Sequence, residues 1–325
     1  MSKKVKYSVV VAVYNRPEEM NELLESIVQQ RFKNLEIIIV DDGSEKSSRE
    51  VFQNFSDKLK ISYFYIENQG PALARNFGVT KSDGDWIIFF DSDCTIPKNY
   101  FFEVEKFLEK NNVSFYGGPD IMDESFTYLQ KSINFSMTSL FTTGGIRGSK
   151  ISIDKFLPRS FNMGIKKDAF EKVNGFSDIR QYGEDLDLSY KLTFSGNKSA
   201  LIPGAKVFHK RRTNLFNFLN QMFKSGKGRH YLNIKYKNTF KLFHIFPTLF
   251  ILGFILSQIL FVFYGNKLGE IIQIFYGVYF SAIFLSSSIM NKNPIIGILS
   301  VITTFTQFLG YGTGYIYGLV EHEKK

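Results

Sequence analysis

The residues best equipped for chemistry are acids in tight groups: Asp41-Asp42, Asp91-Ser92-Asp93 and Glu184-Asp185-Leu186-Asp187. Asp91 and Asp93 close the run Trp86-Ile87-Ile88-Phe89-Phe90, which reads as a strand buried on both faces. So apolar a run has little reason to end in two acids unless its end opens onto a site. At strand spacing an i, i+2 pair points to one side, and two like charges about 6 Å apart repel by about 1–3 kcal/mol at surface-like dielectric. A hard divalent cation turns that repulsion to use, because it selects carboxylate oxygens. Solvated turn residues after a strand fit the same three letters, so the surroundings have to decide.

The elements that must position these acids alternate regularly. Tyr7–Val13 is an apolar strand, and Pro17 then opens a helix with Met20, Leu23, Leu24, Ile27 and Val28 on one face. Leu35–Val40 is a second strand, running into Asp41-Asp42-Gly43-Ser44, where Ser44 has the chemistry of an N-cap. A weaker helix over about Lys46–Phe55 precedes a third strand, Ile61–Ile66. Asn68-Gln69-Gly70-Pro71 is turn chemistry, and Pro71 opens the helix that carries Arg75 and Asn76. Strand and helix in this rhythm predict an α/β fold with a Rossmann-like, mostly parallel sheet and ligands at the carboxyl ends of its strands. Asn15, Asp41, Asp42, Asn68, Asp91 and Asp93 all fall at that edge. Neither a Gly-x-Gly-x-x-Gly turn after the first strand nor a Gly-Lys-Ser/Thr loop is present, which speaks against dinucleotide binding and P-loop chemistry.

Composition narrows the setting. The 325 residues carry one cysteine, Cys94, so neither a disulfide framework nor a cysteine zinc site is available, and a reducing compartment fits. The basic start Met1–Lys6 precedes an apolar run too short for a signal peptide, so the chain is expected to begin in the cytoplasm. Net charge is +9, yet Pro203–Lys241 alone holds ten Lys/Arg and no acid, leaving 9 − 10 = −1 for the remainder. That basic stretch leads straight into long apolar segments, which favours an anionic membrane surface over nucleic acid.

The successive blocks VVVAVYNR, IIIVDDGS, NQGPALARNFGV, WIIFFDSDC, FNMGIKKDAFEKVNGF and GEDLDLSYKLTFSG resemble those of family-2 glycosyltransferases with a GT-A fold, over about residues 7–210. The resemblance implies an inverting transferase that takes a sugar from a nucleotide-sugar. By it, Ala12 and Tyr14 flank the nucleoside, Asp42 accepts from the base, and Asn68 and Arg75 hold the donor. Asp91 contacts the ribose or a metal, and Asp93 is the direct ligand of Mn2+ or Mg2+, which stabilises the leaving diphosphate as a Lewis acid. Asp185 of the Glu184-Asp185 pair is the general base, Asn162 lies on the acceptor side, and His209 completes the metal shell in some relatives. An acidic cluster at a helix start also complements the helix dipole, a role that would suffice for Glu184 and Asp187.

After the catalytic blocks, Leu215, Phe216, Leu219, Met222 and Phe223 predict a basic amphipathic helix at a membrane interface. Phe243–Tyr264 and Ile271–Met290 are each long and apolar enough to span a bilayer, and Pro294–Val320 is one tilted span or a broken one. The expected organisation is therefore a catalytic domain at 1–210, an interfacial segment at 211–240 and a transmembrane region with about three spans at 241–325. The positive-inside rule puts the catalytic domain on the cytoplasmic face of a multi-pass cell-membrane protein. The expected activity is transfer of a sugar, from a UDP-sugar by preference, to a lipid-linked or glycan acceptor in cell-surface polysaccharide biosynthesis. The alternatives are a polyprenyl-phosphate sugar synthase and a non-catalytic nucleotide-binding membrane protein. Expected partners are the donor, the acceptor and membrane lipids, and no nucleic acid.

Overall fold

The computed structural model describes residues 5–32, 34–145, 156–179 and 183–323. Its strands are β1 (Tyr7–Val13), β2 (Leu35–Asp42), β3 (Ile61–Ile66), β4 (Trp86–Phe90), β5 (Cys94–Thr95), β6 (Phe115–Gly117), β7 (Asp120–Ile121), β8 (Asn162–Lys166), β9 (Ser199–Leu201) and β10 (Val207–His209). Between them run α1 (Pro17–Val28), α2 (Arg49–Gln53), α3 (Pro71–Thr80), α4 (Tyr100–Leu108), α5 (Tyr128–Thr138), α6 (Leu140–Thr143), α7 (Lys167–Lys172) and α8 (Glu184–Phe194). The chain continues as α9 (Leu215–Lys235), α10 (Phe246–Tyr264), α11 (Lys267–Asn291) and α12 (Pro294–Glu323).

Seven strands form one sheet in the order β3-β2-β1-β4-β8-β6-β9. β3, β2, β1 and β4 are mutually parallel, and β8 runs antiparallel to both β4 and β6. The alternation within β1 explains why its residues are apolar on both faces. Val9, Val11 and Val13 pack on one side with Met20, Leu23 and Leu24 of α1. Val10 packs on the other with Ala72 and Ala74 of α3 and Leu188 of α8. Every residue of β4 is buried, as its sequence requires.

A second sheet, β5-β10-β7, is small but consequential. Its antiparallel pairing of His209 with Cys94 brings the end of the α/β chain back beside Asp93. Cys94 is fully buried, its thiol donating to the Phe161 carbonyl at 3.6 Å, and burial pushes that thiol well above its ordinary pKa. Ser44 does not cap a helix: its hydroxyl accepts the Asn15 N–H, and α2 begins only at Arg49.

The described residues divide into two compact units. Residues up to Asp123, 156–179 and Glu184–Lys210 form the α/β unit; Glu124–Gly145 and Arg211 onward, with Gly183, form a helical one. α5 and α6 thus belong with the C-terminal helices; the sequence of Ser125–Thr143 reads as a helix followed by a Gly-rich loop at Thr142–Ser149, and the part of that loop beyond residue 145 lies outside the described residues. α12 is one unbroken helix. On its surface Gly310, Gly314 and Gly318 recur every four residues against α9, where a Cβ on Gly314 would sit 2.0 Å from the Phe223 carbonyl oxygen. Such small residues let helix backbones touch. The packed face of α9 is accordingly centred on Phe218, Met222 and Gly226, while Phe216 of the expected apolar stripe is 69% exposed. Among the described residues α10, α11 and α12 are each long and apolar enough to cross a membrane.

Candidate active site

The site grows from the point where the strand order reverses. β1 leads rightward to β4 in the sheet and leftward to β2 and β3, so the carboxyl ends of β1 and β4 flank a crevice. β4 stops at Phe90, and Asp91–Asp93 forms a turn closed by the Cys94 N–H on the Asp91 carbonyl at 3.1 Å. The two acids are therefore not held at strand spacing on one side. The turn sends them to different partners, and the repulsion expected between them is met by two arginines.

Asp93 lies between Arg16 and His209. Oδ2 pairs with the Arg16 guanidinium, and Oδ1 is 3.3 Å from His209 Nε2. Arg16 reaches it from the turn after β1. There Asn15 is held at φ 53 by the Ser44 hydroxyl on its N–H and the Lys46 N–H on its Oδ1. Burial alone would push the Asp93 carboxyl up, but His209 and Arg16 outweigh it and hold the group well below the usual carboxylate range. His209 stacks on Phe161 with ring centroids 5.0 Å apart. The Asp93, Cys94 and His209 donor atoms lie within 4.8 Å of one another. Neighbouring ligands of an octahedral ion at about 2.1 Å stand about 3 Å apart, so the Asp93–His209 pair fits a divalent cation in both donor type and spacing.

Asp91 is absent from that cluster. Its Oδ1 accepts from Arg75 Nη2 at 2.7 Å, and Arg75 Nη1 lies 3.4 Å from Glu184 Oε1. Arg75 is 5% exposed, with its guanidinium 5.5 Å from the Phe176 ring centroid. It thereby ties the end of β4 to the start of α8 as a bridge between two carboxylates. Burial, and then Asp185 beside it, push the Glu184 carboxyl up against the pull of Arg75. Asp185 pairs with Arg159 at 3.4 Å and keeps 16% of its side chain exposed.

Asp42 accepts the N–H groups of Gln69 and Gly70, both at 2.9 Å, and Asn68 Nδ2 donates to the Asp42 carbonyl at 2.9 Å. These residues brace each other across the ends of β2 and β3, and Gly43 is required there because a Cβ would lie 2.8 Å from the Asn68 nitrogen. Burial raises the Asp42 pKa despite the two donated N–H groups. Tyr14 is 49% exposed at the crevice end of β1, and Ala12 is half-buried. Asn162 departs from expectation: it is 1% exposed, its Oδ1 takes the Tyr100 hydroxyl at 2.6 Å and its Nδ2 donates to the Ala205 carbonyl at 2.7 Å. As the partner of Phe90 in the β4–β8 pairing it points into the core, so it supports the strand instead of meeting an acceptor. Arg16 and Arg159 were not singled out by sequence. Arg16 had a signal, its place just after the strand that ends at the crevice.

The statistical description of glycosyl transferase family 2 matches residues 8–173, half of the chain, from β1 through β8. The chain belongs to that family. A glycosyltransferase of Haemophilus influenzae is 34% identical to it over 193 residues, 57% of this chain and 61% of that protein. One of Rickettsia bellii is 38% identical over 130 residues, 40% of this chain and 19% of that protein. The transferase thus spans less than two thirds of either relative's length. Among solved structures, the mannosyltransferase PcManGT from Pyrobaculum calidifontis, in complex with GDP-Man and Mn2+, superposes with a TM-score of 0.62 at 13% identity, covering 98% of this chain and 88% of that one. S. aureus TarS 1-349 in complex with UDP-GlcNAc gives 0.52 at 15% identity, covering 97% and 92%. At these identities the likeness establishes the GT-A fold of the α/β unit.

Proposed function

We propose that this transferase moves a sugar from a nucleoside-diphosphate sugar, a UDP-sugar by preference, to a lipid-linked or glycan acceptor, with inversion at the transferred carbon. The observation that carries the reading is the Asp93–His209 pair, a hard oxygen and an imidazole nitrogen 3.3 Å apart at the crevice edge. Asp93 and His209 would hold a divalent cation, Mn2+ or Mg2+, whose chemistry is to stabilise negative charge on the departing diphosphate. Two structural neighbours solved with GDP-Man or UDP-GlcNAc, one of them also with Mn2+, support the donor class and the metal.

The residues of this chain do the rest. Tyr14 offers an exposed ring to the base, and Asp42 with Asn68 fixes the loop that lines the nucleoside. Arg75 keeps Asp91 and Glu184 in register, so the donor side and the acceptor side share one support. Asp185 takes the proton of the acceptor hydroxyl, and Arg159 holds that carboxylate in place. One base and one displacement invert the sugar carbon. The three apolar helices and the ten basic residues of Pro203–Lys241 support a multi-pass protein of the cell membrane with the catalytic unit on the cytoplasmic side. A catalytic unit carried on the same chain as three membrane-spanning helices in turn favours a lipid-linked acceptor of polysaccharide assembly.

The test is Asp185→Asn in the full-length protein, with a donor screen on membranes scored by mass spectrometry of the lipid product. Turnover should fall by about 10²–10⁴ while UDP affinity stays within about twofold, because the nucleotide does not need Asp185. Glu184→Gln should be milder. Normal turnover in Asp185→Asn would remove Asp185 from the mechanism.

A further inference from the structure

Two arginines hold the Asp91–Asp93 turn, and they are built for different behaviour. Arg75 bridges two carboxylates with its side chain 6% exposed, so it has nowhere to go. Arg16 touches one carboxylate and is 32% exposed. Its backbone is pinned between Asn15, locked at positive φ, and Pro17, the first residue of α1, so any movement belongs to the side chain alone. Arg16 also occupies the second oxygen of the acid whose first oxygen faces His209.

A divalent cation taking Asp93 Oδ1 and His209 Nε2 would meet a full positive charge already seated on Oδ2. Like charges at such range repel strongly where water is scarce, and Asp93 is only 10% exposed. The flexible, partly open arginine is the member able to yield. Once off Asp93 it remains at the crevice end of β1, where a planar fork of donors suits a diphosphate.

We propose that Arg16 is a resident counter-ion of Asp93, displaced by the divalent cation and then engaged by the diphosphate of the donor. This rests on the reading that Asp93 and His209 hold the cation. It makes Arg16 a residue of opposite sign in two successive binding steps: it opposes the metal alone and favours the nucleotide once metal is present. The resident charge also keeps the carboxylate cluster neutralised before either ligand arrives.

Purified full-length protein and its Arg16→Gln, Arg16→Lys and Asp93→Asn variants should be titrated with Mn2+ alone, read by electron paramagnetic resonance of the free ion. UDP and GDP should then be titrated at saturating Mn2+ by calorimetry. Arg16→Gln should bind Mn2+ about tenfold more tightly and the nucleotide about tenfold more weakly, while Arg16→Lys, which keeps the charge, stays within about threefold of the parent for Mn2+. Unchanged or weaker Mn2+ binding in Arg16→Gln overturns the displacement, as does equal tightening in Arg16→Lys. Unchanged nucleotide affinity overturns the second step. Asp93→Asn tells the two readings apart. If it leaves Mn2+ binding intact, the metal assignment itself has failed; if it abolishes binding, a null result in Arg16→Gln falls on the arginine alone.

Discussion

The two units bury polarity in opposite ways. The α/β unit encloses charges and pairs them: Glu36 with Lys60, Arg75 with Asp91 and Glu184, Asp93 with Arg16 and His209. The helical unit encloses mainly hydroxyls and amides. Ser136 meets Thr303 at 2.6 Å, Ser287 meets Ser300 at 2.7 Å, and Asn233 donates to the Tyr315 hydroxyl at 3.1 Å. Its buried Arg211 donates to the Asn134 amide oxygen. A buried charge is tolerable when paired and hydrogen-bonded, and it is worth the cost where charge develops during a reaction. A medium that offers no water to either side of a helix pair favours neutral donors and close backbones instead. The contrast separates a unit arranged for ionic chemistry from one arranged to be stable in an apolar environment.

The contrast can be broken most forcefully at Arg75. Arg75→Met leaves Asp91 and Glu184 without their shared cation, and should cost about 3–5 kcal/mol of stability in the α/β unit. The chain's single tryptophan, Trp86, lies in β4, so its fluorescence during denaturant unfolding reads that unit directly. A loss under about 1 kcal/mol would mean the bridge is a surface pair in disguise.

The next effect belongs to the helical unit. Gly314→Ala should force α9 and α12 apart and cost about 1–3 kcal/mol, seen as an earlier loss of helical circular dichroism on titration with sodium dodecyl sulfate. No shift would show that the helices are not in backbone contact.

Glu36 sharpens the comparison through pH. Burial raises its pKa, but the Ser8 hydroxyl, the Asp83 N–H and Lys60 outweigh burial and lower it overall. A lowered folded pKa contributes stability above the ordinary carboxylate value, which is lost as pH falls through the lowered one. Below about pH 4.3 the parent protein should therefore lose stability more steeply with acid than Glu36→Gln does, with the variant about 1 kcal/mol weaker at neutral pH. Parallel pH profiles for the two proteins would contradict the assignment. Smallest of all, Ser136→Ala should cost about 0.6 kcal/mol, the usual worth of a hydroxyl between apolar helices, in the same detergent titration used for Gly314.

Much of the α/β unit was legible because its signals are local. The buried runs of β1, β2 and β4 and the apolar face of α1 announce themselves by period, and the acids that follow them mark the sheet edge. Asp91 and Asp93 read as a same-side pair because strand spacing was carried past Phe90, where the chain instead makes the turn closed by the Cys94 N–H on the Asp91 carbonyl. What else failed to show was whatever depends on contacts distant in sequence. Asn162 read as a site residue because its hydrogen-bond partners, Tyr100 and Ala205, lie 62 and 43 residues away. Of the apolar stripe expected on α9, Met222 is packed and Phe216 is exposed, because the glycines that choose the packed face, Gly310 and Gly314, are on α12. α5 carried no motif at all, and its place among the C-terminal helices rests on Ser132 and Ser136 meeting Thr303 and Thr304.

The enclosure of Cys94 has a practical side. Its sulfur is walled off from solvent, occupied by a carbonyl and reluctant to ionise, so maleimides and methanethiosulfonates have neither access to it nor a thiolate to attack. A cysteine placed on any exposed position of α9, α11 or α12 would then be the sole thiol to take a spin label or dye in the folded protein. Probes can report on lipid exposure and distance in a background that retains every native residue around Asp93.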